Sequence, residues 1–410
     1  MGSGVSAQDA SQDALRTWLD IAEQYRVDAL DERRFTHEQF WEAVQPSLES
    51  DALRVNDIGR SIQGREIRAV TFGGGPTTVL LWSQMHGDES TATMALADIF
   101  RFMFEADEHP LRRRLGESLT IVAVPMLNPD GAELFQRQNA VGFDINRDAR
   151  RRASAEARAL WAVRDSISAA FGFNLHDQNA RTRAGPDGPQ AAIALLAPPF
   201  NEDRDYNDVR ARARLVAAGM ASLLAHGIPG RVAAYDDTFN PRAFGDLFQQ
   251  AGTSTVLIES GALPDDPEKQ RLRAITFAAI MGALDAIATG SYRNARAQVY
   301  EDLPRNAGGA RDLVIAGGHI VLPGAEPIRA DIAVNYDDPV ARTGGRIMEI
   351  GDLARVESVD TLDMSGLFLF PDRSALTEQH GRAWLRIDAP ASFHVRRSAE
   401  RNAPLVRTIP

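Results

Sequence analysis

The sequence predicts an α/β protein: a twisted, mixed and largely parallel sheet with helices on both faces, followed by a small all-β domain. Three observations carry this. The short apolar runs Thr78 to Ser83, Leu119 to Pro125, Phe171 to Leu175 and Ser254 to Ile258 alternate with segments of helical period. Strands buried on both faces read as continuous apolar runs, and their alternation with helices implies parallel connections. Beyond about residue 292 the pattern changes to short β-type runs separated by Gly, Pro and Asp, as in 311–322, 330–334, 346–350 and 366–370.

Taken in order, residues 13–50 read as two helices. The first carries Leu15, Trp18, Leu19, Ile21 and Ala22 on one face. The second starts at Thr36 and carries Phe40, Trp41 and Val44. Segments 54–58 and 65–72 read as strands about the turn Gln63-Gly64, and Gly73-Gly-Gly-Pro76 breaks the chain before the next strand. Helices are expected over 90–104, 153–170, 209–226 and 267–288. The predicted domains are therefore 13–291 for the α/β part, 292–307 for a linker, 308–390 for the β domain and 391–410 for a tail.

Composition narrows the chemistry. The chain has 410 residues, no cysteine and a formal net charge of −11. Thiol catalysis, thiolate ligands and disulfides are excluded, and an acidic chain argues against a nucleic-acid surface. Lysine occurs once, at Lys269, away from any phosphate-loop glycines. No apolar stretch reaches the roughly 18 residues that would suggest a membrane span. The start Met1-Gly-Ser-Gly resembles a cloning remnant. A periplasmic or secreted location is expected if an export signal was cut away, and a cytoplasmic one otherwise.

The chemistry-bearing residues each follow a predicted strand, where ligands gather in such sheets. His86-Gly-Asp-Glu89 puts an imidazole and a carboxylate on one turn after the strand 78–83, and His176 follows 171–175. Without thiols, two histidines and a glutamate are the ligand set available for a single catalytic Zn2+ ion. Taken alone, each also fits a solvated or hydrogen-bonded loop residue. Asn128-Pro-Asp-Gly131 follows the strand 119–125, and Arg137 and Asp144-Ile-Asn146-Arg147 come next. An Asn and an Arg together can hold a carboxylate. Asp144 is placed to accept a hydrogen bond from a ligating imidazole. Glu259, in Thr255-Val-Leu-Ile-Glu-Ser-Gly261, ends an apolar strand and is a candidate general base.

Together with Gly59-Arg-Ser-Ile-Gln-Gly-Arg65, these motifs resemble the zinc carboxypeptidases, the funnelin-type metallocarboxypeptidases, in order and over residues 50–290. The resemblance implies that His86, Glu89 and His176 bind one zinc ion and that Glu259 activates water. It gives Arg137 the oxyanion and gives Asn146 and Arg147 the substrate's terminal carboxylate. It also asks for a mobile tyrosine upstream of the base, for which Tyr235 is the candidate. The pocket for the terminal side chain is expected between Phe239 and Thr253. Asp246 there would favour a basic side chain or, more simply, cap a helix. The Pro/Gly-rich stretch from Arg183 to Pro199 is expected to wall the site.

The implied partner is a peptide or N-acyl amino acid with a free C-terminal carboxylate; the oligomeric state is not legible. An alternative is an N-acyl-amino-acid deacylase of the aspartoacylase or desuccinylase type, which shares the zinc site. A non-catalytic relic would require loss of Glu259 or a ligand, and all are present. The C-terminal domain resembles the small β-sandwich that accompanies amidohydrolase barrels, without that barrel's metal histidines.

Overall fold

The structure is a computed structural model that describes residues 7–49, 51–380 and 382–409. It divides into two compact units: 1–179 with 191–306, and 180–190 with 307–410.

The first unit is built on eight strands: β1 (Leu53–Arg60), β2 (Glu66–Gly73), β3 (Thr77–Trp82), β4 (Leu119–Val124), β5 (Phe171–Asp177), β6 (Ile193–Leu196), β7 (Val232–Ala234) and β8 (Ser254–Ser260). Their spatial order is β1-β2-β4-β3-β5-β8-β6-β7. β3 is parallel to β4 and to β5, β5 to β8, and β6 to β7; β1–β2, β2–β4 and β6–β8 are antiparallel. The central strands β5 and β8 are buried almost throughout, which explains their unbroken apolar sequence.

Helices cover both faces. The larger core lies under α1 (Ala7–Gln24), α3 (Thr91–Glu105), α7 (Asp208–Leu224) and α9 (Gln270–Thr289), with Phe173, Val79, Leu81 and Ile258 pointing to it. The second core lies under α6 (Ala155–Ile167) and α8 (Phe244–Gln250), where Trp82, Trp161, Phe244 and Phe248 meet. Period-2 alternation then sends Asn174, His176, Leu257 and Glu259 to this second face. Local signals act where expected. Thr36 opens α2 (His37–Leu48) with a reciprocal capping box to Gln39, and Ser154 caps α6 by accepting from Ala157 N–H.

α9 departs from expectation. Its length and hydropathy alone would suffice to cross a bilayer, yet 67% of that window is buried in the unit. It also carries Arg273, paired with Asp98 at 2.5 Å with both side chains almost wholly enclosed. It is a core helix of this fold.

Four predicted stretches need correction, the last of them, 391–410, in the second unit. The stretch 292–307 is not a linker. Tyr292 and Tyr300 are buried in the first unit's core, and the Tyr300 hydroxyl accepts the Ala197 N–H at 3.1 Å. The Arg183–Pro199 stretch is not one wall, because its Ala-rich end forms the buried strand β6. Residues 180–190 belong to the second unit, where the Arg181 guanidinium donates to both oxygens of Asp312, at 3.0 and 2.9 Å.

The second unit is built mainly of β-strands. Its four-stranded sheet runs, in spatial order, Thr343–Gly351, Asp331–Asp338, Arg311–Ala316, Ser358–Asp363. Its five-stranded sheet ends on Phe393–Arg396 and Leu405–Ile409, so 391–410 is not a tail. Phe393, Val395 and Ile409 close a core with Ile315, Ile332 and Leu369.

Candidate metal centre and active site

Beyond β3 the backbone turns sharply at Gln84, which takes a positive φ of 48°. Its amide donates to the Gly87 carbonyl at 2.9 Å, and its carbonyl accepts the Asn128 N–H at 3.0 Å. The turns 86–89 and 128–131 therefore lie backbone on backbone. A Cβ at Gly87 would come within 1.9 Å of the Gly131 carbonyl carbon, and one at Gly131 within 2.4 Å of the Asn128 amide nitrogen. Both positions need glycine for close approach.

This turn aims His86 and Glu89 at the end of β5. The two imidazole Nδ1 atoms, of His86 and His176, each lie 2.6 Å from a different oxygen of Glu89. One donor atom from each of the three residues falls within 4.8 Å of the others, and all three residues are buried. The chemistry of the set, two nitrogens and a carboxylate on converging turns, fits one zinc ion. So does the crowding. An Arg137 N–H points at His86 Nδ1 from 3.1 Å, where that nitrogen already faces Glu89.

The charges follow from the packing. Burial pushes the His86 imidazole down, but the Glu89 charge and a hydrogen bond from Nε2 to Asp144 (3.1 Å) outweigh it, raising His86 to about 9. Burial wins at His176 and lowers it. The same imidazoles hold Glu89 well below the usual carboxylate range despite its burial. Asp144 is likewise low, because its bonds to His86 and Arg137 outweigh burial. Its second oxygen accepts both Nε (3.2 Å) and Nη2 (3.0 Å) of Arg137, and Nη1 of that residue also reaches Glu89 at 3.2 Å.

Glu259 stands opposite His176 in the parallel register of β5 and β8, so the two side chains emerge side by side. It has no protein hydrogen bond among the described residues. Burial first, then the Glu89 charge, raises its carboxyl well above the usual range. Tyr235 directly follows β7, and its N–H donates to the Leu195 carbonyl on β6 at 2.9 Å. The Glu259 charge and burial lift its phenol to about 12.

Asn146 sits across from His176, with its amide 3.5 Å from Nε2 and its carbonyl accepting the Phe244 N–H at 3.0 Å. Arg147 is exposed and donates to the Asn146 backbone carbonyl at 2.7 Å. Asp246 accepts the Asn240 N–H at 2.8 Å and closes the turn before α8, with its carboxyl raised to about 7 by burial. The bond ties down the turn before α8 but does not cap the helix, whose N-cap Ala243 has no side-chain cap, and it occupies one carboxylate oxygen. Asn128 is fully buried and spent on its own turn, accepting Gly131 N–H and donating to the Arg137 carbonyl. It is not available to a substrate.

Sequence reasoning overlooked Asp177, Thr91 and Lys269. Asp177 directly follows His176; its backbone N–H donates to Glu89 at 3.2 Å, and its carboxylate accepts from Thr91 (2.6 Å) and Lys269 (2.8 Å). Lys269 is buried, so the sole lysine has a structural partner beside the metal centre. Its singularity in the composition was the only signal available.

The sequence profile of the zinc carboxypeptidase family matches residues 37–190. The chain is 31% identical over 119 residues to the carboxypeptidase N catalytic chain of Rattus norvegicus, covering 24% of this chain and 26% of that one. It is 30% identical over 99 residues to cytosolic carboxypeptidase 6 of Mus musculus, covering 22% of this chain and 18% of that protein. The matches thus span about a quarter or less of these relatives' length. Two solved structures share the fold. Bovine thrombin-activatable fibrinolysis inhibitor, in complex with tick carboxypeptidase inhibitor, superposes with a TM-score of 0.52 at 14% identity, over 64% of this chain and 98% of that one. The carboxypeptidase A from Helicoverpa armigera gives 0.51 at 15%, over 68% and 82%. Residues 37–190 thus match the zinc carboxypeptidase profile, and about two thirds of the chain shares the fold of these two solved structures.

Proposed function

We propose that this chain is a zinc-dependent carboxypeptidase that hydrolyses the peptide bond preceding a free C-terminal carboxylate. The observation that carries the reading is the placement of Glu259 beside His176, with a protein-unbonded carboxylate next to a two-histidine, one-glutamate cluster. His86, Glu89 and His176 would hold one zinc ion, which would supply Lewis acidity to polarise a carbonyl and to lower the pKa of water toward about 7.

The chain's own groups do the rest. Glu259, whose proton affinity is raised by burial and by the Glu89 charge, takes a proton from the attacking water and passes it to the leaving amine. Arg137 is held by Asp144 and Glu89 to meet the negative charge that develops on the scissile oxygen. Arg147 and Asn146 receive the terminal carboxylate, the exposed guanidinium supplying the charge. Tyr235, kept protonated by its acidic surroundings, is a hydrogen-bond donor over the substrate.

Peptides identical except for a free or amidated C-terminus test this. Zinc-loaded protein should cleave the free-ended peptide about a hundredfold faster, the worth of one hydrogen bond to a charged group. Equal rates would remove the role given to Arg147 and Asn146.

A further inference from the structure

The loop that carries Arg137 and Asp144 also carries an apolar surface that the reaction does not use. Six large hydrophobic side chains of the first unit are exposed among the described residues: Val55, Ile62, Leu134, Val141, Phe143 and Tyr206. Leu134, Val141 and Phe143 lie within ten residues of one another, flanking Arg137 and stopping one residue short of Asp144. Leu134 and Val141 are each 65% exposed.

The exposure is enforced. Asn139 is fully buried, and its side-chain carbonyl accepts the N–H groups of Val141 (3.2 Å) and Phe143 (3.0 Å), while its own N–H donates to the Phe143 carbonyl at 3.0 Å. The loop is tied from inside by this hub and cannot turn its tips inward. Ile62 joins the same region. The residues on either side of it, Ser61 and Gln63, bind the two oxygens of buried Asp130 at 2.7 and 3.0 Å, and Asp130 opens the helix that ends at Leu134. This uses the Gly59–Arg65 motif, which otherwise has no part in the chemistry.

Direction decides what covers the surface. Asn146 and Arg147 lie toward α8, to which Asn146 is bonded through Phe244. Arg137 lies at the Glu89 side of the metal centre. In a chain whose terminal carboxylate is at Arg147 and whose scissile carbonyl is at Arg137, the residue upstream of the scissile bond lies beside Arg137, and so beside the loop 134–143 that carries it.

We propose that Leu134, Val141 and Phe143, with Ile62 beside them, form a subsite for apolar residues upstream of the scissile bond. The preferred substrate is then an extended peptide with apolar side chains, not a lone N-acyl amino acid. The inference rests on the carboxypeptidase reading for its direction, but its test does not need turnover.

The test measures binding of free-ended peptides to the zinc-loaded Glu259→Gln protein by calorimetry. Peptides with Leu or Phe in the upstream positions should bind about tenfold more tightly than those with Ser, the worth of partly burying one or two such side chains. The Val141→Ser/Phe143→Ser variant should reduce that ratio to near one. A ratio near one in the parent overturns the subsite and leaves the reading of the metal centre intact. A preserved ratio with no cleavage by the unsubstituted enzyme keeps the subsite and overturns the hydrolase reading. If the serine variant instead abolishes self-association seen by sedimentation, with no change in peptide preference, the surface belongs to a second copy of the chain and the proposal fails.

Discussion

The two units use the same ion-pair chemistry under opposite conditions. In the first, Arg273 meets Asp98 with side chains 1% and 2% exposed, and accepting carbonyls from Val27 and Leu30 complete its hydrogen bonds. In the second, Arg342 meets Asp360 with side chains 39% and 52% exposed. In the first unit the central parallel strands, sandwiched between helices, are dry, and their polar groups gather at the strand ends. Carboxylates and imidazoles are crowded there, and their proton affinities diverge. The second unit's sheets carry most of their ion pairs at the surface, where water screens them, with the half-buried Arg181–Asp312 pair as the exception. Among the described residues one cluster could hold a metal, and it lies in the first unit. A dry scaffold therefore does more than support a site: it makes each charge there count.

The largest effect expected from this contrast is on chemistry. Glu259→Gln should lower kcat by about 10³-fold, within the usual range for a lost general base. Zinc content by elemental analysis should stay at the parent level; lost metal would mean that Glu259 is a ligand. Next is the buried pair. Arg273→Met leaves Asp98 enclosed without its partner and should cost about 3–5 kcal/mol in denaturant unfolding. A change below about 1 kcal/mol would show that the interior is wetter than its packing implies.

Smaller again is a proton linkage. An imidazole must lose its proton to bind metal, and His86 sits at about 9 without one. Apparent zinc affinity of the metal-free protein should therefore rise about tenfold per pH unit up to about pH 9 and then level off. A plateau already reached near pH 6.5 would mean that Glu89 and Asp144 do not hold that proton. The smallest effect belongs to the second unit: Arg342→Ala should change stability by less than about 0.5 kcal/mol.

Where the sequence was readable and where it was not follows the same division. The buried strands and their terminal residues could be read because an apolar run that stops abruptly on His, Asn or Glu marks both the enclosed strand and the polar edge where it ends. β6 and β7 escaped notice because Ile193-Ala-Leu-Leu196 lies among alanines and prolines, and Val232-Ala-Ala234 is too short to show a period. The return of residues 180–190 to the second unit rests on Arg181 and Asp312, 131 positions apart, which no local pattern can reveal. Asn128 could be read equally as a carboxylate binder or a turn residue, and only the fold shows its amide accepting from Gly131 and donating to the Arg137 carbonyl nine residues on. Lys269 was passed over because its meaning depends on Asp177, which is remote in sequence.

The direct test of the account is zinc stoichiometry after exhaustive dialysis, measured on the parent protein and on His176→Ala, with folding of both checked by circular dichroism. One zinc per parent chain and close to none in the folded variant is the expected result. A parent that holds no zinc, or a variant that retains it undiminished, would contradict a centre made by His86, Glu89 and His176.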